Sequence, residues 1–216
     1  MMFRAILYVQ WKWLRWPLLA VTLAVAAIPL VAARSDFTGG TMLVPLLNRL
    51  ESAGILYPIA AIIVGWVVAA GLWYPDRQGR RVYAMAMPVP RWQFVLLRYQ
   101  AGLVLVLVPA LALLLATILV AVTVQLPPGL HAYPGSVSLR FALASVVAYS
   151  MIFAMAAADS TVVAGVVAAL VILMLVAPGV AEIAGARDPA ETLLSLLFSP
   201  PGPFAIFAGR WMLFDV

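Results

Sequence analysis

The chain has 216 residues, of which 66% are hydrophobic and 10% charged, against about 25% charged in a soluble domain. A chain this apolar cannot cover itself with polar surface, which excludes a soluble globular protein and reads as a polytopic membrane protein. With no cysteine, disulfides and thiolate metal sites are excluded; a single histidine (His131) leaves no histidine cluster, and the net charge of +5 follows from topology rather than from nucleic-acid binding.

In chain order, residues 2–16 place Arg4, Tyr8, Lys12 and Arg15 at helical spacing, with Phe3, Ile6, Leu7, Leu14 and the tryptophans around the rest. That pattern predicts an amphipathic helix lying in the membrane interface, its basic face toward lipid headgroups; the alternative is the ordinary basic flank of a first span. Three Trp and three basic residues interrupt the N-terminus, so it does not read as a cleavable signal. Pro17 then allows a turn into the membrane.

About 20 apolar residues cross a bilayer, and the runs predict spans at 17–33, 55–74, 92–124, 139–158 and 162–177. The stretches 34–54, 125–138 and 179–190 are expected outside. In the second span Ala61, Gly65 and Ala69 form a small-xxx-small ridge, which permits close helix approach or is generic packing. Pro109 is a possible kink in the long third span. Asp159-Ser160-Thr161 is read as a tight cytoplasmic hairpin rather than an intramembrane carboxylate site. The last apolar run, 191–209, contains Pro200, Pro201 and Pro203 and cannot be one intact helix. It reads as two short pieces in a re-entrant or interfacial hairpin.

Between the second and third spans lies the most basic stretch, 76–91, reading DRQGRRVYAMAMPVPR. Short loops rich in Arg stay cytoplasmic. On that basis Arg4, Lys12, Arg15, Arg77, Arg80, Arg81, Arg91 and Arg98 are inside. Arg34, Arg49, Arg140 and Arg187 are outside, and Arg210 is undecided. The N-terminus is therefore expected in the cytoplasm. Val82 to Met87 is apolar and ringed by arginine, which suits a partner surface or an interfacial anchor. Gly79 permits a break after the second span, and Pro88 and Pro90 set the exit.

No GxxxxGK[ST], HExxH or GxSxG occurs, so the chain has no phosphate-cradling loop and is not expected to be an enzyme. Apart from Asp159 in the hairpin, no acidic residue lies inside the five spans, which argues against a proton-coupled transporter.

The order of these features resembles the membrane-spanning subunit of an ABC-2 type exporter. The resemblance covers about residues 2–178. It rests on the basic N-terminal helix, the first two spans, and the stretch Asp76-x-x-Gly79, then Arg80 through Met87, Pro88 and Arg91 leading into a long third span. It implies an all-α bundle: an N-terminal elbow helix, five clear transmembrane helices and a broken sixth or re-entrant segment. It implies that 76–91 is a coupling helix docking on a separate ABC-type ATPase subunit through Asp76, Arg77, Gly79, Arg80, Arg81, Val82, Tyr83, Met85, Pro88 and Arg91. ATP and Mg would belong to that partner, none to this chain. It further implies a homodimer, or a heterodimer with a related permease, in a bacterial inner membrane. The chain departs from the family pattern in lacking a clean sixth span and in keeping Asp76 as the stretch's single acid. Two other classes compete: a non-transporting scaffold that anchors a cytoplasmic partner, and a secondary transporter of a neutral solute.

Overall fold

A computed structural model describes residues 2–33, 54–77, 90–123, 131–158, 161–169, 171–172, 176, 195–202, 204–211 and 213–215. The chain is mostly helical. The elements are α1 (Met2–Ala33), α2 (Leu56–Arg77), α3 (Arg91–Thr123), β1 (His131–Ala132), α4 (Pro134–Ala157) and β2 (Phe214–Asp215). Among the described residues these four α-helices are long and apolar enough to cross a membrane. Four of the five clear spans expected are thus described as helices of that length. Of the expected fifth, helix is described over 161–169, at 171–172 and at 176, and the rest lies outside the described residues.

α1 corrects the expected elbow. It is one helix of 32 residues, about 48 Å long, and passes through Pro17 without the expected turn. The reason is packing. Gln10, Leu14, Leu18, Val25, Pro29 and Ala33 are buried, a stripe spaced by whole turns that runs on both sides of Pro17. A proline inside a helix costs about 3 kcal/mol, and burial of Leu14 and Leu18 on the flanking turns offsets that cost. Arg4, Tyr8, Lys12 and Arg15 are all exposed, as their common face requires.

α2 continues past the expected end at residue 74, so Asp76 and Arg77 belong to its last helical turn. α3 begins where Pro90 presents its carbonyl to the amides of Gln93 and Phe94, at 3.0 and 3.2 Å. It runs unbroken for 33 residues, with Pro109 inside it. α4 starts five residues before the expected 139, because Pro134 suits a first helical turn and the Val137 amide bonds the Tyr133 carbonyl at 3.3 Å.

Two units divide the chain, residues 1–153 with 210–216, and residues 154–209. In the first unit α2 runs parallel to α4: Gly65 meets Ala148 and Tyr149, and Trp73 meets Phe153. α3 runs antiparallel to both, since Tyr99 pairs with Ser150 and Thr117 with Ser138. Leu14 of α1 sits against Gly71 of α2. From Leu14 the buried stripe extends about 28 Å to Ala33, whereas from Gly71 α2 continues about 9 Å toward Arg77 and about 22 Å toward Leu56. The ridge Ala61, Gly65, Ala69 is fully buried within the chain. A Cβ at Gly65 would fall 2.6 Å from the Tyr149 amide nitrogen, so this ridge seats α4.

A short antiparallel ladder, absent from the all-α expectation, joins β1 to β2 in the register His131↔Asp215 and Ala132↔Phe214. The Tyr133 amide continues it by donating to the Leu213 carbonyl at 2.9 Å. The segment 210–215 thereby caps the bundle at the starts of α2 and α4. Trp211 is 4% exposed and stacks on Tyr57, and Arg140 donates to the Arg210 carbonyl at 2.7 Å. Arg210, undecided from charge counting, thus lies at the end of the bundle away from 76–91.

In the second unit a single helical turn at 195–198 leads into a cis Pro200-Pro201 bond and a run of turns. The Gly202 amide bonds the Ser199 carbonyl and the Phe204 amide bonds the Leu197 carbonyl. Phe198 and Phe207 both pack on Phe204. Gly209 takes φ 81°, a conformation that glycine tolerates.

Candidate functional site

The structure shows the roots of the central stretch rather than its middle. Asp76 and Arg77 end α2 and Arg91 begins α3. Gly79, Arg80, Arg81, Val82, Tyr83, Met85 and Pro88 lie outside the described residues. Of the interfacial set, Arg4, Tyr8, Lys12 and Arg15 lie on α1, where Arg15 rests 5.5 Å from the Trp16 ring centre. They are not brought together with the central stretch by any described contact.

What joins the two roots is Arg98, two turns into α3. It is 6% exposed. Its Nη2 donates to the Leu72 carbonyl near the end of α2. Its guanidinium lies 4.6 Å from the centre of the Trp73 ring and 5.7 Å from that of Phe94. A guanidinium is planar and weakly hydrated, so it can stack on rings while its edge hydrogen-bonds. Arg98 thus holds α2 through a carbonyl and an indole, and holds its own helix through Phe94.

The next residue extends the contact to α4. The Ser150 hydroxyl donates to the Val146 carbonyl at 2.7 Å, so the 2.8 Å bond between Tyr99 and Ser150 has Tyr99 as donor. The Tyr149 hydroxyl donates to the Tyr99 carbonyl at 3.1 Å. Tyr99 stacks on Tyr149 at 5.4 Å and meets Phe153 edge-on at 5.4 Å; Trp73 meets Phe153 at 5.6 Å. Gly102 makes room for this cluster, since a Cβ there would collide with the Tyr149 hydroxyl and with Leu72. Three helices therefore meet at one aromatic and polar knot, at the end of the bundle where the central stretch leaves and returns.

Two buried polar groups at this end have no hydrogen-bond partner among the described residues, the Gln10 amide and the Trp73 indole N–H. Each costs about 1–3 kcal/mol in desolvation. Among the described residues no group of His, Asp or Glu is placed to hold a metal.

Sequence reasoning counted Arg98 only among the inside charges, and it passed over Gln10, Tyr99 and Tyr149. The available signal was Arg98 itself. A charge within an apolar run of this length marks a functional position by default.

Compared with protein families, with curated proteins and with solved structures, the chain gave no match in any of the three.

Proposed function

We propose that this chain is the membrane-spanning subunit of an ATP-driven exporter of the ABC-2 type, one half of a translocation pathway. A separate ATPase subunit drives it through the stretch 76–91, which faces the cytoplasm of a bacterial cell together with the N-terminus. The observation that carries the reading is the knot around Arg98. A stretch that merely anchored a positive charge would need no rigid root, whereas one that receives force needs both of its ends fixed to the bundle. Exposed Trp11, Trp13 and Trp16 in the N-terminal half of α1 and Trp92 on the first turn of α3 support a membrane boundary at this end. The arginines of 76–91 outnumber its one acid, so the docking groove on the partner is acidic at its rim, with an apolar floor for Val82, Tyr83 and Met85.

The test is co-expression with the ATPase subunits of the same cell, followed by purification of this chain. A nucleotide-binding subunit in the complex is expected, with no ATP hydrolysis by this chain alone. ATPase activity from the isolated chain contradicts the proposal. Recovery of a different cytoplasmic partner and no ATPase favours a scaffold.

A further inference from the structure

We infer that Arg98 is a positioning residue, the joint through which displacement of the 76–91 stretch reaches α4. The functional half of this inference rests on the exporter reading; the mechanical half does not. Three connections carry it. The guanidinium binds the Leu72 carbonyl and faces the Trp73 ring, which ties it to the last turns of α2. It also lies on Phe94, one turn earlier in its own helix, so the same group reaches the first turn of α3, the other root. Tyr99, bonded to Arg98 through the chain, is fixed to α4 by Ser150, Tyr149 and Phe153.

The geometry also says why arginine stands here. Lysine can reach a carbonyl but has no plane to lay on an indole. An apolar side chain of similar length would fill the space and could not donate to the carbonyl. The Trp73–Phe153 contact gives α2 a direct hold on α4 as well, so Arg98 does not act alone. It is the group that makes both roots move together.

Because the chain has no cysteine, spin labels can be introduced in pairs on exposed positions near the knot. Ala70→Cys with Met151→Cys reports α2 against α4, and Ala70→Cys with Leu96→Cys reports α2 against α3. The full chain is measured in lipid vesicles. In the Arg98→Met background both distance distributions are expected to widen at least twofold, with Arg98→Lys between Met and the native residue. Trp73→Leu, which removes the ring beneath the guanidinium, should widen both as well and serves if Arg98→Met does not fold.

In the complex with the ATPase, Arg98→Met should keep the native amount of bound ATPase. Trapping with ATP, Mg and orthovanadate should then shift the Ala70–Met151 distance, which stays constant in the native chain. Native widths in Arg98→Met and Trp73→Leu overturn the inference. So does loss of bound ATPase in step with a loss of thermal stability and with native widths, which marks Arg98 as a support of the fold alone. Failure to recover any ATPase with the native chain counts against the exporter reading, and the vesicle measurement still decides the joint.

Discussion

Trp211 stacks on Tyr57 with ring centroids 6.1 Å apart and 20° between planes, and the Arg140 guanidinium lies 4.4 Å from the centre of the Trp211 ring. An indole is thus held by residues from the first turns of α2 and α4, more than 60 positions away in the chain. The β1–β2 ladder and the bond from Arg140 to the Arg210 carbonyl also hold this short cap.

Trp211→Ala should therefore release the cap. The expected loss is about 3–5 kcal/mol of unfolding free energy, the range for truncating a large buried aromatic. Arg140→Met should cost less, about 1 kcal/mol, because it removes one cation–π contact and the bond to the Arg210 carbonyl. Denaturant titration in micelles checks both. Equal losses would mean that the arginine, not the ring packing, secures the cap.

At Gly65 the backbone of α4 comes so near that a methyl group must displace Tyr149 or Ala148. Gly65→Leu is expected to cost about 1–3 kcal/mol through overpacking, and Gly65→Ala a smaller amount in the same direction. The same titration measures it. A neutral Gly65→Leu would show that α2 and α4 do not pack through this ridge.

Two hydroxyl pairs link α3 to α4, Tyr99 with Ser150 at 2.8 Å and Thr117 with Ser138 at 3.4 Å. Interhelical hydrogen bonds in membranes average about 0.6 kcal/mol and reach about 1.7. Tyr99→Phe should fall toward the upper value and Thr117→Val below the average, since Thr117 already donates to the Leu113 carbonyl within its own helix. Double-mutant cycles with Ser150→Ala and Ser138→Ala isolate each pair.

Gln10 is 7% exposed and its amide atoms have no partner among the described residues. Gln10→Met keeps the length and removes the polar atoms. It should raise stability by about 1 kcal/mol. A loss of stability would mean that the amide is satisfied in the membrane-embedded protein.

For the central stretch the exporter proposal separates rim from floor. Exposed ion pairs contribute about 0.2–1 kcal/mol, while buried aromatic anchors often contribute about 2 kcal/mol or more. Tyr83→Ala should weaken assembly with the ATPase more than Arg80→Ala does, read as co-purified ATPase per membrane subunit. Both should insert normally, because the remaining arginines hold the stretch inside. Single cysteines at Gly79 and Gly129, labelled on intact cells with an impermeant thiol reagent, check the insertion. Labelling is expected at Gly129 and not at Gly79.

Much of the fold was legible because a bilayer imposes its demand locally. Any helix in lipid must be apolar along its whole length and must satisfy its own backbone, so composition alone located α2, α3 and α4 to within a few residues. Proline also acts locally: Pro90 marks the start of α3, whereas Pro134 begins α4 within a stretch, 125–138, that was expected to lie outside the spans. Charge counting carried a directional expectation for 76–91 in the same way.

The remaining features depend on contacts between residues distant in the chain. Lipid is as apolar as leucine, so hydropathy does not say which face of a span meets protein. For that reason the sequence left open whether Ala61, Gly65 and Ala69 served packing within the chain. It also predicted a turn at Pro17, where α1 instead continues, with a buried stripe through Leu14 and Leu18. Arg98 read as one more positive flank until Leu72, Trp73 and Phe94 were brought around it. The position of Arg210 was undecided until Trp211 found Tyr57. Apolarity is a property of one segment and can be read there, whereas burial belongs to pairs of segments and is settled only when they pack.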